Sequence, residues 1–255
     1  QLVERSFKSW HRKRQAEGLQ REATAMEKAL RKAGIDENAR GNLPKGIYKQ
    51  TKTVKKLRKR AKYQLAQSWS EFEERIRFLI KHEYINNDHS FNAGARALTY
   101  FQIQEVFISE LFLEGILDSL SKGELYGVLC GMVVELPRGV HVPGKRRFKK
   151  LSRRIVNVLR TEIVQESAYI TRLPLVWEPN MIPIGKAWAE GESLPEILDS
   201  IAYETDISGT LVGAFRRAKD LCMQLRNAWQ DFPGQVQLVS ELLKTVSRDE
   251  VEVLD

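Results

Sequence analysis

Apolar residues recur along the first third of the chain at helical intervals. Val3, Phe7 and Trp10, and then, after a change of phase, Leu19, Ala23, Met26, Leu30 and Ala33, follow one another in steps of four and three. That spacing keeps the side chains on one stripe of a helix and lends the segment coiled-coil character. The stretch from Gly34 to Gly46, with Gly41, Asn42 and Pro44, interrupts it, and a second run resumes through Leu57, Ala61, Leu65, Phe72, Ile76 and Leu79. Two periodic runs separated by a breaker predict a long antiparallel helical hairpin projecting from the body.

Residues 83–101 carry the strand and turn signals of the chain. Asn86, Asn87 and Asp88 are turn formers between two apolar-containing flanks, which predicts a short β-hairpin like the wing of a winged helix. Helical patterning then returns over Ile103–Leu120, over Glu124–Leu136 and over a basic segment from Phe148 to Ile170. In the last of these, Phe148, Leu151, Ile155, Leu159 and Ile163 form the apolar stripe, and Lys149, Lys150, Arg153, Arg154 and Arg160 lie largely off it. Ser193 with Glu196 reads as a capping box opening a helix over Leu194–Tyr203, with Pro195 tolerated in its first turn. The fold class expected is mainly α, a helical bundle with a hairpin of helices and a small winged-helix-like β-hairpin.

Composition adds a charge map. The 255 residues carry a net charge of +8, but it is unevenly placed: +13 over residues 1–62, −5 over 63–144, +7 over 145–172 and −7 over 173–255. Lysines and arginines from Lys52 to Lys62 are too many like charges for a buried helix, and Lys55, Lys59, Lys149 and Arg153 lie in the two basic blocks. Such blocks suit a polyphosphate partner, because each phosphate contact releases a counterion. A solvated basic surface or attraction to anionic lipid is the competing reading. No apolar run approaches the roughly 18 residues of a membrane span, and the segment Gln1–Trp10 has no signal-peptide core. Cys130 and Cys222 stand in apolar contexts far apart, and the four histidines show no metal-ligand spacing with them. An intracellular, reducing location without a membrane is therefore expected.

Catalytic signatures are missing from the chain. Gly139 to Arg146 satisfies G-x-x-x-x-G-K, but Arg146 stands where the Mg²⁺-binding hydroxyl belongs. Pro143 also removes a backbone donor from a loop that would need N–H groups. A basic loop leading into a basic helix is the better reading. The acidic pairs Glu190/Glu192 and Glu204/Asp206 have no acid, base or metal partner placed against them and read as cap and surface residues.

Ser208 to Trp229 is the most informative segment. Leu211, Phe215, Ala218, Cys222, Leu225 and Trp229 form an uninterrupted core stripe, and Gly213, Arg217, Asp220 and Gln224 step along the opposite side with Arg216 beside them. A glycine inside a helix costs about 1 kcal/mol relative to alanine, so Gly213 suggests close approach of a ligand or chain along that face. Arginine offers a planar fork able to stack on a base or grip a phosphate. Spacing leaves open whether Arg217 serves that purpose or forms a surface ion pair with Asp220.

These residues carry a family resemblance. Ala187-Trp-Ala-Glu-Gly191, Ser193, Ile197, the run from Thr205 through Arg217 to Leu221, and Leu242 through Arg248-Asp249 to Val251 resemble the C-terminal helical domain (DSHCT) of DExH-box RNA helicases of the SKI and exosome-associated type. Phe78-Leu79 to Tyr84-Ile85, Gly94 to Ala97 and Glu110 to Leu120 are similar to the end of that family's winged helix and the start of its helical domain, and Gln1 to Phe7 resembles the segment after its second motor domain. The resemblance implies a hairpin stalk at 1–75, a winged-helix-like segment at 76–120 and a DSHCT-like domain at 121–255. It implies a helical domain closing over the RNA channel of a 3′→5′ translocating motor, with a ratchet helix facing the single strand. Arg217 falls on the family's RNA-contacting arginine and Asp220 lies near an acidic position, whereas Gly213 departs from the larger, often basic residue usual there. Only Gly34 to Gly46 joins the stalk helices where exosome-type members insert an arch, so compact relatives of the bacterial cytoplasm or plastid stroma look closer.

The expectation is thus an RNA-binding C-terminal region of an ATP-dependent RNA helicase, with no cofactor in this chain and ATP and Mg²⁺ handled by motor domains outside it. Its expected partners are single-stranded or structured RNA, its own motor domains, and RNA-processing or ribosomal components. A non-enzymatic basic adaptor docking on a protein, ribosome or membrane is the alternative. Sequence upstream of Gln1 discriminates the two, since a motor with D-E-x-H supports the first.

Overall fold

The computed structural model describes residues 2–32 and 45–251. Among these the chain is mainly α, with eleven α-helices, and it divides into two compact units, Gln1–Lys81 and His82–Asp255. The breaker expected at 34–46 lies, except for Lys45 and Gly46, outside the described residues.

The first unit is a pair of long helices, α1 (Leu2–Lys32) and α2 (Lys45–Lys81), packed on each other. Ala16 and Ala23 on α1 and Val54 and Ala61 on α2 are buried. Each pair is seven residues apart, so small side chains recur on the seam and let the helices approach closely. Arg58 on α2 donates to the Glu27 carboxylate on α1, tying the pair together. Further along, Trp69 and Phe72 form an exposed aromatic pair with ring centres 5.4 Å apart, although the apolar period had put Phe72 on the seam.

Among the described residues the second unit holds nine α-helices: α3 (Ala93–Tyr100), α4 (Glu105–Leu113), α5 (Lys122–Gly131), α6 (Lys149–Leu159), α7 (Glu162–Thr171), α8 (Met181–Ala189), α9 (Leu194–Ser200), α10 (Ser208–Ala228) and α11 (Pro233–Val246). One continuous core runs from Phe101 to Val251, with Phe107, Tyr126, Ile155, Trp188 and Phe215 completely buried in it. Residues 101–120 contribute Phe101, Phe107, Ile108, Leu111, Ile116, Leu117 and Leu120 to that same core. At its centre α5 and α8 are pressed together through glycines. A Cβ on Gly127 would lie 2.2 Å from the Ile182 carbonyl oxygen, and one on Gly185 would lie 2.7 Å from the Gly127 Cα. Gly123, Gly127 and Gly131 recur every fourth residue on one face of α5, which is what lets α8 and the segment before it come this close.

Three expectations are revised. First, the β-hairpin over 83–101 shrinks to a single antiparallel bridge, Ile85 with Phe91, and its second flank is α3. Local hydrogen bonds close the turn instead of a ladder: Asn92 N–H donates to Tyr84 O (2.9 Å), Asn92 Nδ2 to Glu83 O (2.7 Å), and Asp88 accepts from Ser90 N–H (2.9 Å). Second, the helix expected over 103–120 ends at Leu113. Gly115 takes φ +64°, its N–H bonds Phe112 O and the Ile116 N–H bonds Leu111 O, a Schellman stop that glycine adopts without a Cβ clash. Third, the basic helix over 148–170 is two helices. Thr161 leaves helical backbone (ψ 150°) and its hydroxyl donates to Val158 O (2.7 Å), the local competition by which threonine ends helices. Both halves pack on α4, so the apolar stripe stays in register across the break.

Other local signals hold. Ser193 and Glu196 form the capping box of α9, and an unforeseen second box, Ser121 with Glu124, opens α5. Cys130 and Cys222 are buried free thiols, and burial pushes both well above the ordinary thiol range. None of the helices is long and apolar enough to cross a membrane among the described residues.

Candidate nucleic-acid interface

The residues that carry the resemblance meet at the base of α10. Trp188 of α8 stacks on Phe215 of α10 with ring centres 4.8 Å apart and donates its indole N–H to Val246 O (3.2 Å). Tyr126 of α5 donates to Phe215 O (2.9 Å). Over the Trp188 ring lies the Arg248 guanidinium, 3.8 Å from the ring centre, which donates to Trp188 O (2.7 Å) and Glu192 O (2.8 Å). α8 ends in a second Schellman stop at Gly191, φ +103°, and Arg248 serves the carbonyls around that stop. Asp206 accepts the N–H of Ser208 (2.9 Å) at the start of α10, and that hydrogen bond holds its carboxyl below the ordinary range. Trp188, Gly191, Asp206, Phe215 and Arg248 thus fix the pitch and starting point of α10.

With that stack behind it, α10 buries Leu211, Phe215, Ala218, Cys222, Leu225 and Trp229, the stripe expected from spacing. Arg216, Arg217 and Asp220 are exposed on the other side. Arg217 does not pair with Asp220 among the described residues; its Nε donates to Gly213 O one turn back (3.0 Å). That contact is also all that Gly213 meets, since a Cβ there would find only the Arg217 guanidinium at 3.9 Å. The close approach inferred at Gly213 is therefore not made by the described residues. Gln224 is drawn toward α3, where its Oε1 accepts the Gln102 N–H (3.0 Å). Met223 and Asn227 are exposed instead, so the open face of α10 follows Arg216, Asp220, Met223 and Asn227. The exposure of Met223 runs against the usual place of a helical methionine, which is the core.

Within the second unit, the basic surface of α6 lies on other neighbours than α10 does. Lys149 and Arg153 are exposed on α6, which packs on α4 and α7, whereas α10 packs on α5, α11 and α3. Lys55 and Lys59 are exposed on α2 of the first unit. The backbone of the P-loop-like string does not wrap a nucleotide: His141 and Ala202 exchange N–H to O bonds of 2.8 and 3.0 Å, and Val140 and Val142 are buried. Among the described residues no group of histidine, cysteine and carboxylate side chains is placed to hold a metal.

The fold and these surfaces define a helical accessory module built around one buried stack and an open helix face. Residues 88–253 match the DSHCT (NUC185) domain, and the chain belongs to that family, a non-catalytic C-terminal domain of SKI2-type helicases. Comparison with curated proteins finds no significant match.

Proposed function

We propose that this chain is the RNA-binding C-terminal region of an ATP-dependent 3′→5′ RNA helicase, in which single-stranded RNA is guided along the open face of α10. The observation that carries the reading is the state of that face. A 21-residue helix is locked from behind by the Trp188, Phe215 and Arg248 stack, while Arg216, Arg217, Asp220 and Met223 are exposed in front. A rigid helix presenting guanidinium forks suits a strand that must be held and released as it moves. Arg217 is held by one neutral carbonyl, so its remaining N–H groups are available for a phosphate or a base. Lys149 and Arg153 on α6, and Lys55 and Lys59 on α2, supply further phosphate contacts, and Gln224 acts indirectly by holding α10 to the segment after α3. ATP and Mg²⁺ belong to motor domains outside this chain, and those motor domains and RNA are its partners.

The test is Arg217→Ala in the parent helicase. Unwinding slows and RNA affinity falls by about 1–3 kcal/mol, the range for losing one stacked or gripped nucleotide contact. Wild-type unwinding in that variant removes α10 from the RNA path.

A further inference from the structure

The cations from Lys145 to Arg154 have no carboxylate partner among the described residues. Elsewhere in the unit such partners are found: Lys122 pairs with Glu241, Lys186 with Glu190 and Arg248 with Asp249. Lys145, Arg146 and Lys149 instead line a cleft together with Ser152, Pro179 and Asn180, where the 3₁₀ turn Lys145–Phe148 packs against the start of α8. The Ser152 hydroxyl and the Asn180 carboxamide form no hydrogen bond among the described residues. The nearby Glu178 carboxylate is engaged by the Asn180 backbone N–H (3.0 Å). The cleft therefore holds three cations without a carboxylate partner and two uncommitted polar side chains among the described residues.

Helix electrostatics sharpen the imbalance. The 3₁₀ turn runs directly into α6, so its cations stand at the positive end of the helix dipole, and neither segment has an acidic residue in its first turn. Like charge at that end is unfavourable. An anion in the cleft relieves both the mutual repulsion and the clash with the dipole, and a tetrahedral oxyanion accepts from ammonium, guanidinium, amide and hydroxyl donors together.

We infer that this cleft grips a backbone phosphate of single-stranded RNA, forming a phosphate subsite separate from the open face of α10. The inference rests on the RNA reading above. A polymer is the fitting occupant because the cations do not stop at the cleft. Lys150 and Arg153 continue the positive surface along α6, one helical turn at a time, and a small free anion would leave them unused. The uncharged donors Ser152 and Asn180 give the subsite a contribution that salt does not screen, which distinguishes it from a diffuse basic patch.

The experiment is fluorescence anisotropy of a labelled oligouridylate with the full chain, between about 50 and 200 mM salt. The Ser152→Ala/Asn180→Ala double variant weakens binding about 10-fold with an unchanged salt slope. Lys145→Gln/Lys149→Gln weakens it and lowers the slope by about 0.7 per lysine. Lys244→Gln on α11 leaves both unchanged. Wild-type affinity and slope in the cleft variants overturn the subsite, and Arg217→Ala, measured in the same assay, shows whether the α10 reading stands without it. Loss of binding in the cleft variants alone supports the subsite and overturns the α10 reading. Binding of orthophosphate or ATP that depends on Lys145 and Asn180, with RNA affinity untouched by their substitution, overturns RNA as the occupant. A wild-type chain that fails to bind the oligonucleotide even at the lowest salt overturns both.

Discussion

Single atoms decide how α5 and α8 meet. Gly127 faces backbone, and a methyl group placed there would lie 2.2 Å from the Ile182 carbonyl oxygen. Backbone cannot rotate away as a flexible side chain can, so Gly127→Ala is expected to cost about 3 kcal/mol of stability, at the upper end of overpacking effects. Urea unfolding of the purified chain checks this, and a loss below about 0.5 kcal/mol, the range of ordinary surface substitutions, refutes the tight contact. Glycine also shows where sequence reasoning goes astray. Gly213 drew attention because it lies in line with Arg217 and Asp220, yet its surroundings are open apart from Arg217 itself. The demanding positions are Gly127, Gly131 and Gly185, where a Cβ would run into the backbone of a segment distant in sequence. The four-residue spacing of Gly123, Gly127 and Gly131 on α5 is visible in the chain, but nothing local says which glycine face meets another backbone.

Helix ends were the most legible features at the level of elements. The α9 box forms as its sequence predicts, with Ser193 Oγ and N–H both donating to the Glu196 carboxylate at 2.7 Å. Ser193→Ala is expected to cost about 1 kcal/mol, measured by thermal or urea unfolding. The Ser193 backbone N–H, and then its hydroxyl, hold the Glu196 carboxyl below the ordinary carboxylate range. Because the folded-state value is the lower one, this contribution is present at neutral pH and is lost as pH falls through that depressed value. Glu196→Gln, which cannot titrate, is expected to lose less stability than the parent chain over the same acid range. A parallel decline would show that the cap does not report on Glu196. The splits at Gly115 and Thr161 were harder to foresee. In both, the apolar period carries on past the break, because the pieces on either side pack on the same core. Periodicity records which face is buried and is blind to a change of direction between two helices that share it.

Across the whole molecule, the charge blocks set the conditions under which it binds. RNA affinity is expected to fall steeply with salt, and replacing Lys55 and Lys59 by glutamine should lower the slope of log affinity against log salt by about 0.7 for each lysine. Anisotropy titrations measure it, and a salt-independent affinity would refute the electrostatic reading of both basic blocks. What the sequence determined by itself is whatever depends on near neighbours: the helical period, the caps, the buried stripe of α10 and the placement of charge along the chain. These follow from backbone hydrogen bonding and side-chain spacing within a few residues. The tertiary structure alone decided that the 83–101 segment closes on one bridge before α3, and that Gln224 is taken up by Gln102 while Met223 stays exposed. It also brought Asn180 to the cations of the turn before α6, some thirty residues earlier in the chain. Each of these depends on a partner distant in sequence, and a linear pattern carries no record of which distant surface a side chain will meet.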